Sequence, residues 1–346
     1  MSTNPPNPRR VAVVTAMTIV ALVAAAICGL VVGPTSIGTW RVVGAVFAHL
    51  GIGHDTMSSL QSTIVWQLRA PRMVLGLLAG AMLAVAGGTY QGVFRNPLAD
   101  PYLLGVAAGA GLGATFAIVD IGSGLVTPTW TPLLAFVGAM IAVAFTWLVG
   151  GRGLRSSAAT LILAGVAVAA LLTSVQTYLQ QQASSGSIVR VYIWLLGSLA
   201  SASWSSVLLV LPYVVICIVV CVMAGRALDA MSVGEDESRS LGIRVRQVRF
   251  IVIAASSLGT AAIVSAVGLI GFVGIIVPHI VRLLVGTSYR RILPISVLFG
   301  AAFLVFADTL ARTIMAPSEL PLGVVTAAIG APVFVLILSV RRSYVR

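Results

Sequence analysis

The chain of 346 residues is 59% hydrophobic by residue type, while Asp, Glu, Lys and Arg together supply only 9%, against about 25% in a soluble domain. So few charges cannot cover the surface of a water-exposed globule of this size, so a soluble fold is excluded and the chain must be solvated largely by lipid. The net charge of +12 comes from 21 arginines and no lysine, placed between apolar runs; their distribution across a bilayer says more than their sum, and no nucleic-acid partner is indicated.

In chain order, MSTNPPNPRR precedes an apolar run from Val11 to Gly33 that is too long for a signal-peptide core and lacks a small-x-small cleavage site. It is expected to be a retained first span behind a cytoplasmic tail, residues 1–10. Residues 34–68 form a long outer connection whose apolar stretch Val42–Leu50 suits a short helix in the membrane interface. Apolar runs then recur at 73–92, 101–119, 132–150, 157–178, 204–225, 248–268, 269–286, 293–314 and 321–340. Each is close to the roughly 20 residues a helix needs to cross about 30 Å of hydrocarbon. The seventh and eighth runs are separated only by Gly268, Gly271 and Gly274. The reading is an all-α polytopic membrane protein of about ten spans forming one domain over residues 1–346.

The arginines test that count. With ten spans and both termini in the cytoplasm, sixteen fall inside: Arg9, Arg10, Arg95, Arg152, Arg155, Arg226, Arg239, Arg244, Arg246, Arg249, Arg282, Arg290, Arg291, Arg341, Arg342 and Arg346. Only Arg41, Arg69, Arg72, Arg190 and Arg312 fall outside. The bias is the one expected of cytoplasmic loops.

Whole classes of chemistry are missing. There is no G-x-x-x-x-G-K-[ST], and a chain without lysine cannot supply the phosphate-binding lysine of that loop, so ATP is not hydrolysed through a P-loop here. The run GVAAGAGLGA, with Gly105, Gly109, Gly111 and Gly113, opens an apolar helix and suits close helix packing rather than a dinucleotide. His49, His54 and His279 stand apart, with no metal-ligand spacing. Cys28, Cys217 and Cys221 lie in apolar runs and read as small buried hydrophobes. Asp308 stands four residues before Arg312, which suits a structural pair on one helix face. A proton-coupled carrier, with Asp308 as its first candidate, is the weaker alternative.

One stretch is strongly charged: residues 226–247, RALDAMSVGEDESRSLGIRVRQ. Ser232 and Glu235 have capping-box spacing, Glu235 and Arg239 lie one turn apart, and Gly242 stands where a helix C-cap is expected. A polar helix of about nine residues on the cytoplasmic face follows, suited to docking a partner.

Several segments resemble one family. Arg69–Arg72 (RAPR), Gln91–Pro101 (QGVFRNPLADP) and the following Leu104–Val106 (LGV) are similar to the second and third spans of FecCD/BtuC-type permeases, the importers of iron chelates, haem and vitamin B12. MSVGEDESRSLGI, GLIGFVGIIVPHIVRLLVG, ADTLAR and ELPLGVVTAAIGAPVFVLIL extend the likeness over nearly the whole chain from about residue 60. The resemblance implies a type II ABC importer permease fold in the bacterial inner membrane, working as a homodimer or paralogous heterodimer. Two ATPase subunits, carrying the ATP and Mg, and a substrate-binding protein are the implied partners; no cofactor or metal is implied on this chain, and ferric siderophore is the leading cargo, with haem or vitamin B12 as alternatives.

The family's roles transfer by position. Ser232, Gly234, Glu235 and Gly242 take the ATPase-coupling positions within the loop 226–247. Arg69, Arg72 and Arg312 take those that face acidic residues of the binding protein, and as charges at the disfavoured membrane edge they call for partners. Ser156, Ser157, Ala158 and Ala159 take the place of the gate at the inner end of the fifth span, where some relatives carry hydroxyls at the last two positions. Thr173, Gln176 and Thr177 are candidates for the translocation path.

Overall fold

The structure, a computed structural model, describes residues 8–33, 35, 37–49, 51–52, 56–120, 130–150 and 158–343. Its elements are α1 (Pro8–Val31), α2 (Thr39–His49), α3 (Ser59–Thr63), a π-helical turn (Ile64–Arg69), α4 (Ala70–Phe94), α5 (Val106–Asp120), α6 (Thr131–Val149) and α7 (Ala158–Gln181). There follow α8 (Ser185–Leu195), α9 (Trp204–Met223), α10 (Gly225–Val233), α11 (Glu235–Ser240), α12 (Val245–Val267), α13 (Val273–Val285), α14 (Tyr289–Ala311) and α15 (Leu322–Ser343). Among the described residues there is no strand.

Among the described residues, seven helical segments are long and apolar enough to cross a bilayer: α1, the continuous stretch Ser59–Phe94, α6, α7, α9, α12 and α14. α5, α13 and α15 contain shorter apolar helices. Every apolar run read from the sequence thus carries a helix. The interfacial expectation for Val42–Leu50 corresponds to α2, with Trp40 and Phe47 exposed. Cys217 and Cys221 are buried as expected, but Cys28 is exposed, because α1 lies on the outside of the bundle with most of its surface uncovered.

α4 is the axis. It packs against α14, α12, α13 and α9, and it is buried along nearly all of its length. Small residues allow backbones to meet: a Cβ on Gly80 would lie 2.1 Å from the Gly300 carbonyl oxygen, and one on Gly87 would lie 1.9 Å from that of Gly274. The glycine run of α5 serves the same purpose, with Gly109 against Gly138 of α6. Without a hydrophobic drive between helices in lipid, such close approach is a main source of helix association.

Two expected spans are shortened. α13 has 13 residues, about 20 Å of helix, less than the hydrocarbon thickness. α12 ends at Gly268 with φ +73°, and Phe272, at φ +69°, precedes α13. Likewise α4 ends in left-handed Arg95, and α5 begins only at Val106. The two non-helical stretches meet: a Cβ on Gly274 would lie 2.6 Å from the Pro101 ring, and the Tyr102 hydroxyl donates to Ile270 O at 3.0 Å and accepts from Ile270 N–H at 3.1 Å. One phenol thus satisfies both backbone groups where helical bonding lapses, which is the condition for non-helical backbone inside a membrane protein.

The α4 contacts predict that Gly87→Val, which puts side-chain atoms into the α13 backbone, destabilises the purified protein by about 3 kcal/mol or more. Gly44→Ala on α2, where an added Cβ meets nothing within 4 Å, should be neutral or slightly stabilising. Thermal unfolding in detergent measures both.

Candidate functional site: polar surfaces at the two ends of α14

The cluster at the C-terminal end of α14 grows from the turn before α4. Pro71 has no N–H to continue the α-helical ladder, and Ala70 N–H bonds Val65 O in a π turn. Arg69 and Arg72 leave this turn toward different neighbours. Arg69 is buried, and its Nη1 donates to Leu30 O at 2.9 Å and Val31 O at 2.6 Å, while Nη2 donates to Thr35 O. Arg312, also buried, donates from Nη2 to Gly29 O at 2.6 Å. Both guanidiniums therefore close the C-terminus of α1, whose last carbonyls have no helical partner and whose dipole favours a cation.

Arg72 lies between two carboxylates. Its Nε and Nη2 donate to Asp308 at 2.8–3.1 Å, and its Nη1 and Nη2 donate to Glu319 at 2.8 and 3.0 Å. Arg312 Nε stands 3.7 Å from Asp308 Oδ2, so the expected Asp308–Arg312 pair is present, but Arg72 makes the closer contacts. All three arginines have partners within the chain: the carbonyls of Gly29, Leu30, Val31 and Thr35, and the carboxylates of Asp308 and Glu319. The sequence reading missed Glu319, although it lies in the quoted run ELPLG. The scarcity of acids on the arginine side was the signal available.

The loop 226–247 differs from the single capped helix expected. Ser232 lies inside α10 and donates its hydroxyl back to Asp229 O at 2.6 Å instead of capping a following helix. Gly234, in extended conformation at φ 169°, breaks the segment into α10 and α11. The Ser238 hydroxyl donates to Ala230 O at 2.9 Å and to Gly234 O across the break. At the far end Gly242, φ +79°, donates to Arg239 O at 2.9 Å, and Ile243 N–H donates to Ser238 O at 3.0 Å. This is a Schellman termination, with glycine where the sequence placed it. Arg239 pairs with the exposed Asp236 at 3.0 Å.

Of the gate candidates, Ser156 and Ser157 lie outside the described residues, Ala158 opens α7, and Ala159 is exposed beside it. Thr173 and Thr177 lie one turn apart on the exposed face of α7, with Thr177 Oγ1 donating to Thr173 O at 2.9 Å. Gln176 is buried and turned toward α5, where a Cβ on Gly111 would lie 2.8 Å from its Oε1. The path candidates thus divide between an open face and a packed one.

A bundle of apolar helices with a polar surface at each end is the architecture of a polytopic membrane protein. Residues 18–340 match the FecCD transport family, and the chain belongs to that family. It is 41% identical over 303 residues to the uncharacterized ABC transporter permease YvrB of Bacillus subtilis, covering 85% of this chain and 84% of that one. It is 43% identical to the cobalamin import permease BtuC of Halobacterium salinarum, over 80% of this chain and 73% of that protein. To the Fe(3+)-citrate import permease YfmE of B. subtilis it is 39% identical, over 80% and 81%. A solved inward-facing structure assigned to the metal-chelate type of ABC transporter superposes with a TM-score of 0.83 at 28% identity, covering 94% of this chain and 98% of that one. The chain is thus an ABC-importer permease, multi-pass in the cytoplasmic membrane.

The geometry ranks the two carboxylates. Asp308→Asn, which leaves Arg72 and Arg312 facing a neutral group below the surface, is expected to cost about 3–5 kcal/mol. Glu319→Gln, at the partly exposed edge, is expected to cost about 1 kcal/mol or less. Melting of the two variants side by side checks the order.

Proposed function

We propose that this chain forms, with a second copy or a paralogous chain, the membrane channel of an importer for a large metal chelate, with ten spans and both termini in the cytoplasm. Two ATPase subunits, which hold the ATP and Mg, contact the α10–α11 segment around Ser232, Gly234, Glu235 and Gly242. A substrate-binding protein docks at the opposite end, over Arg69, Arg72 and Arg312. Cargo passes along α7, past Thr173, Gln176 and Thr177 to a gate at Ser156, Ser157, Ala158 and Ala159.

The observation that carries this reading is the charge balance of the arginine cluster. Arg72 pairs with Asp308 and Glu319 and Arg312 with Asp308, while the neighbouring Arg69 donates to the backbone carbonyls of Leu30, Val31 and Thr35, so three guanidiniums stand with two carboxylates and the group keeps one excess positive charge. Arg69 and Arg312 are buried on α1, so Arg72, beside the partly exposed Glu319, is where an incoming acid reaches the cluster. An acidic side chain of a binding protein completes the balance there and sets orientation and on-rate more than affinity. At the other end, α11 carries Glu235, Asp236, Glu237 and Arg239 on a short helix closed at its C-terminus by Gly242, a form suited to a groove on a soluble subunit.

Ferric siderophore is the cargo we propose first. The identities to permeases named for cobalamin, 43% and 40%, favour a corrinoid as the second reading.

Arg72→Glu should abolish uptake of the cognate chelate by the reconstituted complex while basal ATP hydrolysis persists; unchanged uptake would sink the docking assignment. Glu235→Arg should lower uptake and the hydrolysis stimulated by the binding protein together. Competition between a ferric siderophore and cyanocobalamin for uptake decides the cargo.

A further inference from the structure

The N-terminus of α14 is capped by another helix. Ser288 is its N-cap residue but makes no side-chain capping bond of its own. Instead the Ser288 hydroxyl donates to Asp229 Oδ2 at 2.7 Å, and the Tyr289 N–H donates to Asp229 Oδ1. A carboxylate from α10, about sixty residues earlier, therefore satisfies an orphan N–H of α14 and places negative charge at the positive end of its dipole.

The junction is backbone-tight. A Cβ on Gly225, at the start of α10, would lie 3.1 Å from Arg290 Cα and 3.2 Å from Tyr289 O. Tyr289 is held from its other side as well: its hydroxyl accepts from Arg282 Nη2 of α13 at 2.8 Å, and that guanidinium lies 5.0 Å from the ring centre. From this anchored turn α14 runs 23 residues, about 35 Å, along α4 through the Gly80–Gly300 contact to Asp308 and Arg312. One helix thus begins on the α10–α11 segment and ends in the arginine cluster.

We propose that Asp229 is the positioning residue that fastens α14 to the coupling segment, so that α14 carries the state of the ATPase to the surface where the binding protein docks. This rests on the reading of α10–α11 as the ATPase contact. Pro294 removes one helical hydrogen bond near the start of α14, but the close packing of the helix along α4 favours displacement over deformation, so a shift of its capped end displaces Asp308 and Arg312 relative to Arg72. Coupling is reciprocal, and a docked binding protein reaches the ATPase by the same route.

The test uses the complex of permease, ATPase subunits and binding protein in proteoliposomes. Asp229→Ala removes both acceptors, Asp229→Asn keeps a carbonyl oxygen for Tyr289 N–H, and Ser288→Ala removes one donor. With Asp229→Ala the ATPase subunits should stay bound and basal hydrolysis persist, while stimulation by loaded binding protein falls on the order of tenfold; Asp229→Asn should retain most of it. Stimulation within about twofold of the unmodified complex would overturn the relay and leave the ATPase contact standing. Loss of the ATPase subunits from an otherwise folded Asp229→Ala chain would also overturn it, by placing Asp229 in the contact itself. If Asp229→Ala does not accumulate, Ser288→Ala decides: reduced stimulation at unchanged basal rate supports the relay, and no change overturns it. An unmodified complex that ignores the binding protein would overturn the assembly reading, and the relay with it.

Discussion

A backbone polar group buried in lipid must find its partner inside the protein, and much of this structure follows from where regular helices fail to provide one. The carbonyls that end α1 are met by Arg69 and Arg312, the lapse between α12 and α13 is met by the Tyr102 hydroxyl, and the first N–H of α14 is met from α10. Each repair joins elements distant in sequence, so the groups that satisfy the backbone also fix the tertiary arrangement.

That economy explains the placement of charge. Among the described residues, most of the carboxylates lie toward the two ends of α14. At one end Arg72, Asp308, Glu319 and Arg312 form a network largely withdrawn from water; at the other, α11 leaves Asp236, Glu237 and Arg239 in solvent. A withdrawn cluster with a residual positive charge suits an electrostatic guest, and a short, solvated, charged helix suits insertion into a groove. The different physical characters of the two surfaces match the different partners proposed for them.

The spans were legible because hydrophobic length is a local property: each apolar run reports its own helix. Their ends were less legible where tertiary contacts decide them. Nothing local in Gly268–Phe272 states that α13 starts four residues late, because the partner that makes the break tolerable is Tyr102. Gly242 was readable as a helix terminator because its left-handed conformation is a property of the residue. Ser232 and Glu235 had the spacing of a capping box, yet extended Gly234 lies between them and Ser232 closes on its own helix. The arginines were readable as outliers on the wrong side, whereas their partners, Leu30, Val31, Gly29 and Glu319, were not, and neither was Asp229. These are contacts across tens to hundreds of residues, beyond the reach of any motif of fixed spacing.

The double closure of α1 has a consequence for how the protein is made. α1 is the least buried of the long helices, and its terminal carbonyls are completed by a side chain 39 residues later and another 283 residues later. A helix made before most of the bundle is therefore among the last to be secured. Its C-terminal end waits for Arg312 until α14 is in place, so synthesis order and consolidation order run in opposite directions for α1.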